Sequence, residues 1–578
     1  MQLLSSAAAR LRPTAQPPSD PPPRVHPLPP PPQQPTTAET LQRDLKERLG
    51  FKGWVMSDWG ATHSTSINAG LDQEMPGGSH MSSDQIESAL KAGKVTQAKI
   101  DDSVSRILTP MFAMGLFDEP WLSNNGTTAA NVTSAAHNAL ARSIAAEGAV
   151  LLNNNGALPL DATAANIKIA VIGHEAASPT VHGGGSGQVV PYYTSAPLDA
   201  IREALGMPAP PPTPSNCSDA HWDHGFDYRN TDGQTSQSAD SVDACCGLCA
   251  MRAACNYFTF TGGTCWMKAT NNNRVADADA ISGGCHAGPA PAPPACVGGK
   301  CVYYLDGSDI QEAVSLAQNA DIAIVFTATD SSEGGDRGSL SLDGDADKLI
   351  AAVAAANAKT VSVMVSPGAI LTPWRDSVAA TLVSFMPGQE YGHAIADVLF
   401  GATNPSGKLP LTLPTKENEC PVFSDDMWPG INKQANYSEH MLMGYRCYDA
   451  AGIAPAFPFG HGLSYSSFGL SDFTSSSDTT LSVTVTNTGK VAGAEVVQAY
   501  LTFPDGAGEP PQLLKAFHKT KLLAPGASEK VTFTLNDRAV SIWDVGAHAW
   551  KKFSGKYTVT VGTSSRDPKA LQTTFTVA

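Results

Sequence analysis

The sequence has no apolar run long enough to span a bilayer, which excludes a helical membrane protein. It also lacks positive charge. Its 38 Lys and Arg are outnumbered by 54 Asp and Glu, giving a formal net charge of -16. So acidic a surface repels nucleic acid and anionic lipid, and leaves a neutral or cationic ligand as the better fit. The glycine-rich run His182-Gly183-Gly184-Gly185-Ser186-Gly187 has no Gly-Lys-Ser/Thr and no GxGxxG opening a helix. A phosphate cradle is therefore not expected there, and close backbone approach to a sugar or to another loop is. The first 35 residues lack the apolar core of an export signal. Pro17 to Pro35 is instead proline-dense, the composition of an extended, disordered tract.

Cysteine is scarce except in one place. Nine of the eleven lie between Cys217 and Cys301, and only Cys420 and Cys447 lie outside. Such clustering reads as a disulfide framework and hence an oxidising compartment. The rival is zinc, since Cys246-Gly-Leu-Cys249 has CxxC spacing, but a second ligand pair at zinc-site spacing is missing. Four Asn-x-Ser/Thr sequons, at Asn125, Asn131, Asn216 and Asn436, agree with secretion. No metal or other cofactor is called for by any ligand cluster.

What is present is ample core material, 42% hydrophobic over 578 residues, enough for three or four domains. After a helical stretch over 37–49, with Leu41, Leu45 and Leu49 at i, i+4 spacing, Trp54-Val55-Met56 reads as a buried strand. Residues 70–78 form a short strand-like turn, and helices are predicted over 83–92 and 96–112. Residues 118–134 carry linker chemistry. Then a helix over 134–148 and strands at 150–152, 167–173, 322–326, 361–365 and 380–385 alternate with helices at 308–319, 343–358 and 390–400. Near-continuous apolar strands alternating with helices imply a mainly parallel sheet covered on both faces. Residues 208–301, bracketed by Pro208–Pro214 and Pro289–Pro294, interrupt that alternation as an inserted, stapled module. From about Gly469 the pattern has period 2, with strands at 481–486, 496–501, 530–535 and 556–561, which indicates a β-sandwich.

Two carboxylates stand where sites are built. Asp58 follows the strand-like run in Ser57-Asp58-Trp59, and the rim of a barrel is where such a group can attack a substrate. Trp59 offers an apolar face of the kind on which sugar rings stack. By itself the triplet is equally a turn or helix cap. Glu333 lies in a polar, glycine-rich segment beyond the strand 322–326, together with Asp336 and Arg337, and ligands bind beyond the carboxyl ends of such strands. The plain alternative is a solvated loop with an Asp336–Arg337 surface pair.

Taken in order, these stretches resemble glycoside hydrolase family 3, the β-glucosidase-type enzymes. The resemblance rests on Gly50-Phe-Lys-Gly-Trp-Val-Met-Ser-Asp-Trp59, Ala69-Gly-Leu-Asp-Gln-Glu-Met-Pro-Gly77, residues 147–160, Ser332-Glu333-Gly334 with Asp336-Arg337, Pro387-Gly-Gln-Glu-Tyr-Gly392, residues 404–410 and Phe459-Gly-His-Gly-Leu-Ser-Tyr465. It implies a multidomain α/β protein with a partial (β/α)8-barrel remnant (37–117), a linker (118–134) and an α/β sandwich domain split over 135–207 and 302–415. A connecting segment (416–468) and a fibronectin-III-like β-sandwich (469–578) follow, and residues 1–36 are the disordered proline-rich tract. The insert 208–301 resembles a PAN/apple module, through Asp243-Ala-Cys-Cys-Gly-Leu-Cys249, Cys255-Asn-Tyr-Phe-Thr-Phe260 and Cys265-Trp-Met-Lys268, and modules of that type bind proteins or carbohydrates.

The resemblance implies a chemistry. Asp58 would be the nucleophile and Glu333 the general acid/base of a retaining glycosidase removing terminal β-linked glucose or a similar sugar, with the two carboxyl groups about 5–5.5 Å apart. Trp59, Asp336 and Arg337 would hold substrate. No metal or cofactor takes part. A β-xylosidase-type specificity fits the same residues. An N-acetylglucosaminidase fits less well, because its family-3 members generally lack a Glu like Glu333. The family's first domain is a (β/α)8-type barrel, yet only about fifteen helical residues precede Gly53, and a closed barrel needs its full strand set. The chain is accordingly expected to be a truncated or misassembled family member. A non-catalytic carbohydrate- or protein-binding remnant is the alternative function.

Overall fold

The computed structural model describes residues 38–118, 133–189, 191–207, 222–228, 235–239, parts of 241–255, 257–268, 274–284, 296–421, 424–432, 434–475 and 479–578. The proline-rich tract, most of the 118–134 linker and the sequons at Asn125, Asn131 and Asn216 lie outside these residues. The chain divides into two compact units, residues 1–132 and 133–578.

The first unit opens with Ala38–Arg48, a π-helix rather than the α-helix that the leucine spacing predicts. Leu49, the third leucine of that stripe, is exposed. What seats the helix is charge pairing. The Lys46 ammonium lies 2.6 Å from Asp72, and both side chains are almost fully excluded from solvent. Helices α1 (Ser83–Lys91) and α2 (Gln97–Ala113) follow. The strand expected over 54–56 reduces to a single parallel bridge, Met56 to Gln73. It is not buried either, since Met56 is half-exposed. Among the described residues of this unit only the 70–75 turn pairs with it, so no continuous ladder forms.

The second unit is built on one sheet. Helix α3 (Ala135–Gly148) is capped by Ser134, whose side chain accepts from His137 N. Strands β1 (Val150–Asn154) and β2 (Ile167–Ile172) and helix α4 (Pro197–Ala204) follow. The cysteine-rich stretch then forms its own five-stranded antiparallel sheet, β3 (Trp222–Tyr228), β4 (Thr235–Ser238), β5 (Tyr257–Thr261), β6 (Thr264–Lys268) and β7 (Arg274–Gly284), in the order β3-β7-β5-β6-β4. Disulfides Cys245–Cys265 and Cys249–Cys255 staple it around buried Phe258 and Met267. Cys246 is also disulfide-bonded, so the CxxC pair holds sulfur bridges and not zinc.

The chain returns to the main sheet sooner than the sequence suggests. The hairpin β8 (Cys296–Val297) and β9 (Lys300–Leu305) is closed by Cys296–Cys301, and β9 pairs in parallel with β2. Helix α5 (Ile310–Gln318), strand β10 (Ile322–Ala328), helix α6 (Ala346–Ala356), strands β11 (Thr360–Val365) and β12 (Ala380–Ser384) and helix α7 (Tyr391–Leu399) complete the layer. The sheet order is β1-β12-β11-β10-β2-β9-β8, with β1 and β8 antiparallel at its edges. Along β10, Ile322, Ile324 and Phe326 pack to the α4 and α7 side, while Ala323 and Val325 pack against α5 and α6. Burial of both faces explains the unbroken apolar strands. Chain order reverses between β2 and β10, a switch point whose carboxyl end is a natural ligand position.

Helix α8 (Tyr445–Ala451) is tied to the preceding loop by Cys420–Cys447. The C-terminal region is a β-sandwich. One sheet is β13 (Phe468–Ser475), β14 (Thr480–Asn487) and β17 (Ser528–Thr534). The other is β16 (Leu513–Lys519), β15 (Val496–Thr502), β20 (Gly555–Gly562) and β21 (Leu571–Val577), and a small hairpin pairs β18 (Ser541–Asp544) with β19 (Ala549–Lys552). Leu481, Val483 and Val485 alternate inward from β14, as period-2 patterning requires. No helix among the described residues is long and apolar enough to cross a membrane.

Candidate functional site

In the first unit, the geometry around Asp58 is set by backbone contacts to the 72–75 turn. Asp72 N donates to Val55 O at 2.9 Å, and Asp72 Oδ2 accepts from Val55 N at 2.8 Å. Ser57 N donates to Gln73 O at 2.9 Å, and Ser57 Oγ accepts from Met75 N at 2.9 Å. Arg106, on α2, donates to the Phe51 carbonyl at 2.6 Å and pairs with Asp102. The turn residue is thus fixed from both sides. Asp58 Oδ1 accepts from the next backbone amide, Trp59 N, at 2.7 Å. Asp58 is exposed, and the Trp59 indole is 72% exposed beside it. A carboxylate aimed into solvent next to an uncovered aromatic face can meet a sugar. Buried Asp72 is the residue that sequence reasoning missed. It sits inside the Ala69–Gly77 stretch, whose sequence gives a turn and a family resemblance but no sign of a buried charge.

In the second unit, Glu333 sits on the loop after β10, and its partner is the glycine-rich run after β2. The two loops touch through a parallel bridge between Gly184 and Ser332, with Gly184 N donating to Ser331 O at 2.9 Å. Only glycine permits this approach. A Cβ on Gly184 would come within 2.6 Å of Ser332 Oγ, and one on Gly185, at φ +68°, within 2.5 Å of Glu333 Cβ. The expectation that this run serves close approach to another loop is therefore met. Glu333 Oε2 accepts from Ser186 N at 2.7 Å and from the Ser186 hydroxyl. These bonds, the hydroxyl first, hold the fully exposed Glu333 carboxyl below the ordinary glutamate range.

The two loops border two adjoining clefts. One, of about 760 Å³, is lined by Glu333, Val189, Tyr192 and Met386. Met386 has φ +45°, a strained conformation for a side chain of that kind and one found preferentially at functional sites. Tyr193, next to the lining Tyr192, donates to Glu390, which also binds His393 Nδ1 at 2.7 Å. Burial opposes ionisation of Glu390, but those two bonds keep its pKa below the ordinary range. The other cleft, of about 820 Å³, is lined by Asp336 and Arg337. The loop is exposed over 332–336, as the plain reading expects, but the surface pair of that reading does not form. Arg337 forms no ion pair with Asp336; it donates to the Ala369 carbonyl at 2.6 Å, and its Nη1 is buried with no hydrogen-bond partner. That nitrogen is an unsatisfied buried donor on a residue that lines the cleft. Ser186, Tyr192 and Met386 were not foreseen. The only signal was that Ser186 falls inside the glycine run. Among the described residues no three His, Cys, Asp or Glu side chains converge to hold a metal.

Comparison with known proteins places these features in one context. Residues 149–465 match the model of the glycosyl hydrolase family 3 C-terminal domain, and residues 495–565 match the fibronectin type III-like domain. A β-glucosidase of Rhizobium radiobacter is 33% identical over 607 aligned positions, covering 92% of this chain and 73% of the relative. A probable β-glucosidase L of Emericella nidulans is 33% identical, covering 92% of this chain and 68% of the relative. Among solved structures, DesR, a β-glucosidase from Streptomyces venezuelae crystallised with D-glucose, superposes with a TM-score of 0.71 at 30% identity, over 94% of this chain and 74% of its own.

Proposed function

Since the chain belongs to glycoside hydrolase family 3, we propose that it is built to remove terminal β-linked glucose, or a closely similar sugar, from glycosides by double displacement. Asp58 attacks the anomeric carbon and forms a glycosyl-enzyme, while Glu333 protonates the departing oxygen. Glu333 then takes a proton from the water that releases the sugar. Trp59 stacks on the sugar ring, and Asp336 and Arg337 hold hydroxyls. The observation that carries this reading is the docking of the Glu333 loop on the Gly184–Ser186 backbone, which puts an exposed, hydrogen-bonded carboxyl at the mouth of a sugar-sized cleft. The disulfides support a secretory or extracellular setting.

The test is hydrolysis of aryl β-glucosides by the purified chain. Asp58→Asn is expected to abolish turnover. Glu333→Gln is expected to lower it about 10²- to 10⁴-fold on a poor leaving group, and much less on a dinitrophenyl group, which needs no acid. Equal losses on both leaving groups would remove Glu333 from the acid role.

One observation favours a second reading. The Ser186 bonds lower the pKa of Glu333, whereas a general acid is served by a raised one. A carbohydrate-binding protein without turnover would look like this, and saturable glucose binding with no hydrolysis would establish it. The cysteine-rich sheet is proposed to carry a separate protein or glycan ligand, testable with that region's aromatic residues, such as Trp222, as reporters of binding.

A further inference from the structure

A third crevice lies at the carboxyl ends of β2 and β10, at the point where strand order reverses. Its volume is about 450 Å³, smaller than either of the two clefts beside the Glu333 loop. The floor is backbone and apolar side chain, from Gly173, Phe326, Ile310 and Leu349. Gly173, at φ +109°, lets the chain pass close against β10, because a Cβ there would reach within 2.0 Å of the Phe326 carbonyl oxygen. The rim is mainly acidic, with Glu175, Asp306, Asp330, Asp343 and Asp345, beside the imidazole of His174 and the hydroxyl residues Thr180 and Ser308. No Lys or Arg lines it.

A rim of carboxylates alone would be a solvated edge. A second observation points inward. Thr327, 95% buried and lining the crevice, has a hydroxyl with no hydrogen-bond partner. It is the residue of β10 that follows Phe326, so it projects to the α5 and α6 side, where Ile310 and Leu349 form the floor. An orphaned buried hydroxyl costs free energy unless something in the crevice takes it up. Gly173 and Thr327 stand at the carboxyl ends of β2 and β10, where open α/β sheets bind ligands.

The chemistry of the lining selects the occupant. A rim of five acidic residues with one histidine and no Lys or Arg disfavours phosphates and nucleotides. Among the described residues no three acidic or histidine side chains converge on one point, so the rim is not a metal cage. Spaced acceptors above an apolar floor match a ring with hydroxyls around its edge and C–H groups on its face. We propose that this crevice binds a neutral, polyhydroxylated ligand of monosaccharide size, with the Thr327 hydroxyl and the Glu175 and Asp306 carboxylates as its polar contacts. Asp330 and Asp343 line both this crevice and the Arg337 cleft, and Asp343 accepts from Thr329 Oγ1 at 2.8 Å and Asp330 N at 2.7 Å. A bound sugar would therefore stiffen the root of the Glu333 loop.

The test is hydrogen–deuterium exchange of the full chain, with and without D-glucose. Glucose is expected to slow exchange in peptides spanning 173–180 and 306–312, in wild type and in Glu333→Gln alike. Thr327→Val, which removes one hydroxyl at constant volume, is expected to fold normally and to weaken that protection about three- to tenfold in apparent Kd. Glu175→Gln, which keeps the side-chain shape, gives an independent reading and is expected to weaken it in the same range. Three results would overturn the proposal: protection confined to 182–189 and 331–339, protection at 173–180 that neither substitution changes, or equal protection by inorganic phosphate.

Discussion

The buried pair Lys46–Asp72 permits a sharp prediction about how the first unit holds Asp58 in place. Asp72 accepts three bonds at once, from the Lys46 ammonium at 2.6 Å, from the Ser103 hydroxyl at 2.8 Å and from Val55 N at 2.8 Å. Its side chain is fully excluded from solvent, and that of Lys46 is 3% exposed. Asp72→Asn keeps an acceptor for Val55 N, turns its amide NH2 towards the Ser103 hydroxyl, and leaves the ammonium buried without a counter-charge. Lys46→Met leaves the carboxylate in the same position. Breaking one side of a buried pair costs about 3–5 kcal/mol. Each single variant should therefore lose about 3 kcal/mol. The double variant, Lys46→Met with Asp72→Asn, removes both charges and keeps the bond from Val55 N, with the Ser103 hydroxyl free to turn and accept from the amide, so it should lose only about 1–2 kcal/mol. Additivity would require about 6 kcal/mol, so the expected coupling is about 4 kcal/mol. The assay is native-state hydrogen exchange on peptides covering 40–57, read against urea, because it reports this unit and not the larger one. If the costs of the single variants simply add, or if each is below about 1 kcal/mol, the pair is a bystander and something else fixes the Asp58 turn.

The remaining predictions concern the second unit. Ser186→Ala removes the first cause of the depressed Glu333 pKa, so that pKa should rise. A general acid works in its protonated form, so the alkaline limb of kcat/KM should move to higher pH; an unmoved limb would separate Ser186 from the acid. Gly185→Ala would drive a methyl into Glu333 Cβ at a positive φ, and should cut turnover at least tenfold with little change in thermal stability, because the loop is exposed. Reducing Cys420–Cys447, which closes a 27-residue loop, should cost about 3.5 kcal/mol by the chain-entropy relation, checked by melting with and without reductant. Burial, the largest cause, raises the pKa of Glu175. Its contribution to stability is thus present below the unfolded pKa and lost as pH rises. Glu175→Gln should therefore stabilise the fold at neutral pH and leave it unchanged at acid pH, as urea titrations at the two pH values would show.

The parts of this molecule legible in the sequence share a physical reason, and so do the parts that were not. Strands β10, β11 and β12 are buried on both faces, so each writes an unbroken apolar run; the sandwich strands are buried on one face and write period 2. Strand β9 was missed because its half-buried Tyr303 and Tyr304 follow directly on a cysteine-rich stretch that reads as a separate module. The strand expected before Asp58 reads correctly as an apolar run, yet a run becomes a ladder only with partners, and it has a single bridge. The site shows the same divide. Asp58, Glu333 and Arg337 could be named from motifs, because each motif is local. Their settings could not, because Ser186 lies 147 positions from Glu333 and Lys46 lies 26 from Asp72.

That divide bears on mechanism. A motif points to a candidate reacting group, whereas a contact between distant loops biases its pKa. Both Ser186 bonds end on Glu333 Oε2, so on the proposed mechanism Oε1 can carry the proton to a leaving group while the Ser186 contact stays in place. The backbone bridge at Gly184 and Ser332 holds the loop independently of that side-chain contact. Loss of Ser186 should therefore shift the pKa of Glu333 more than it shifts the position of its loop.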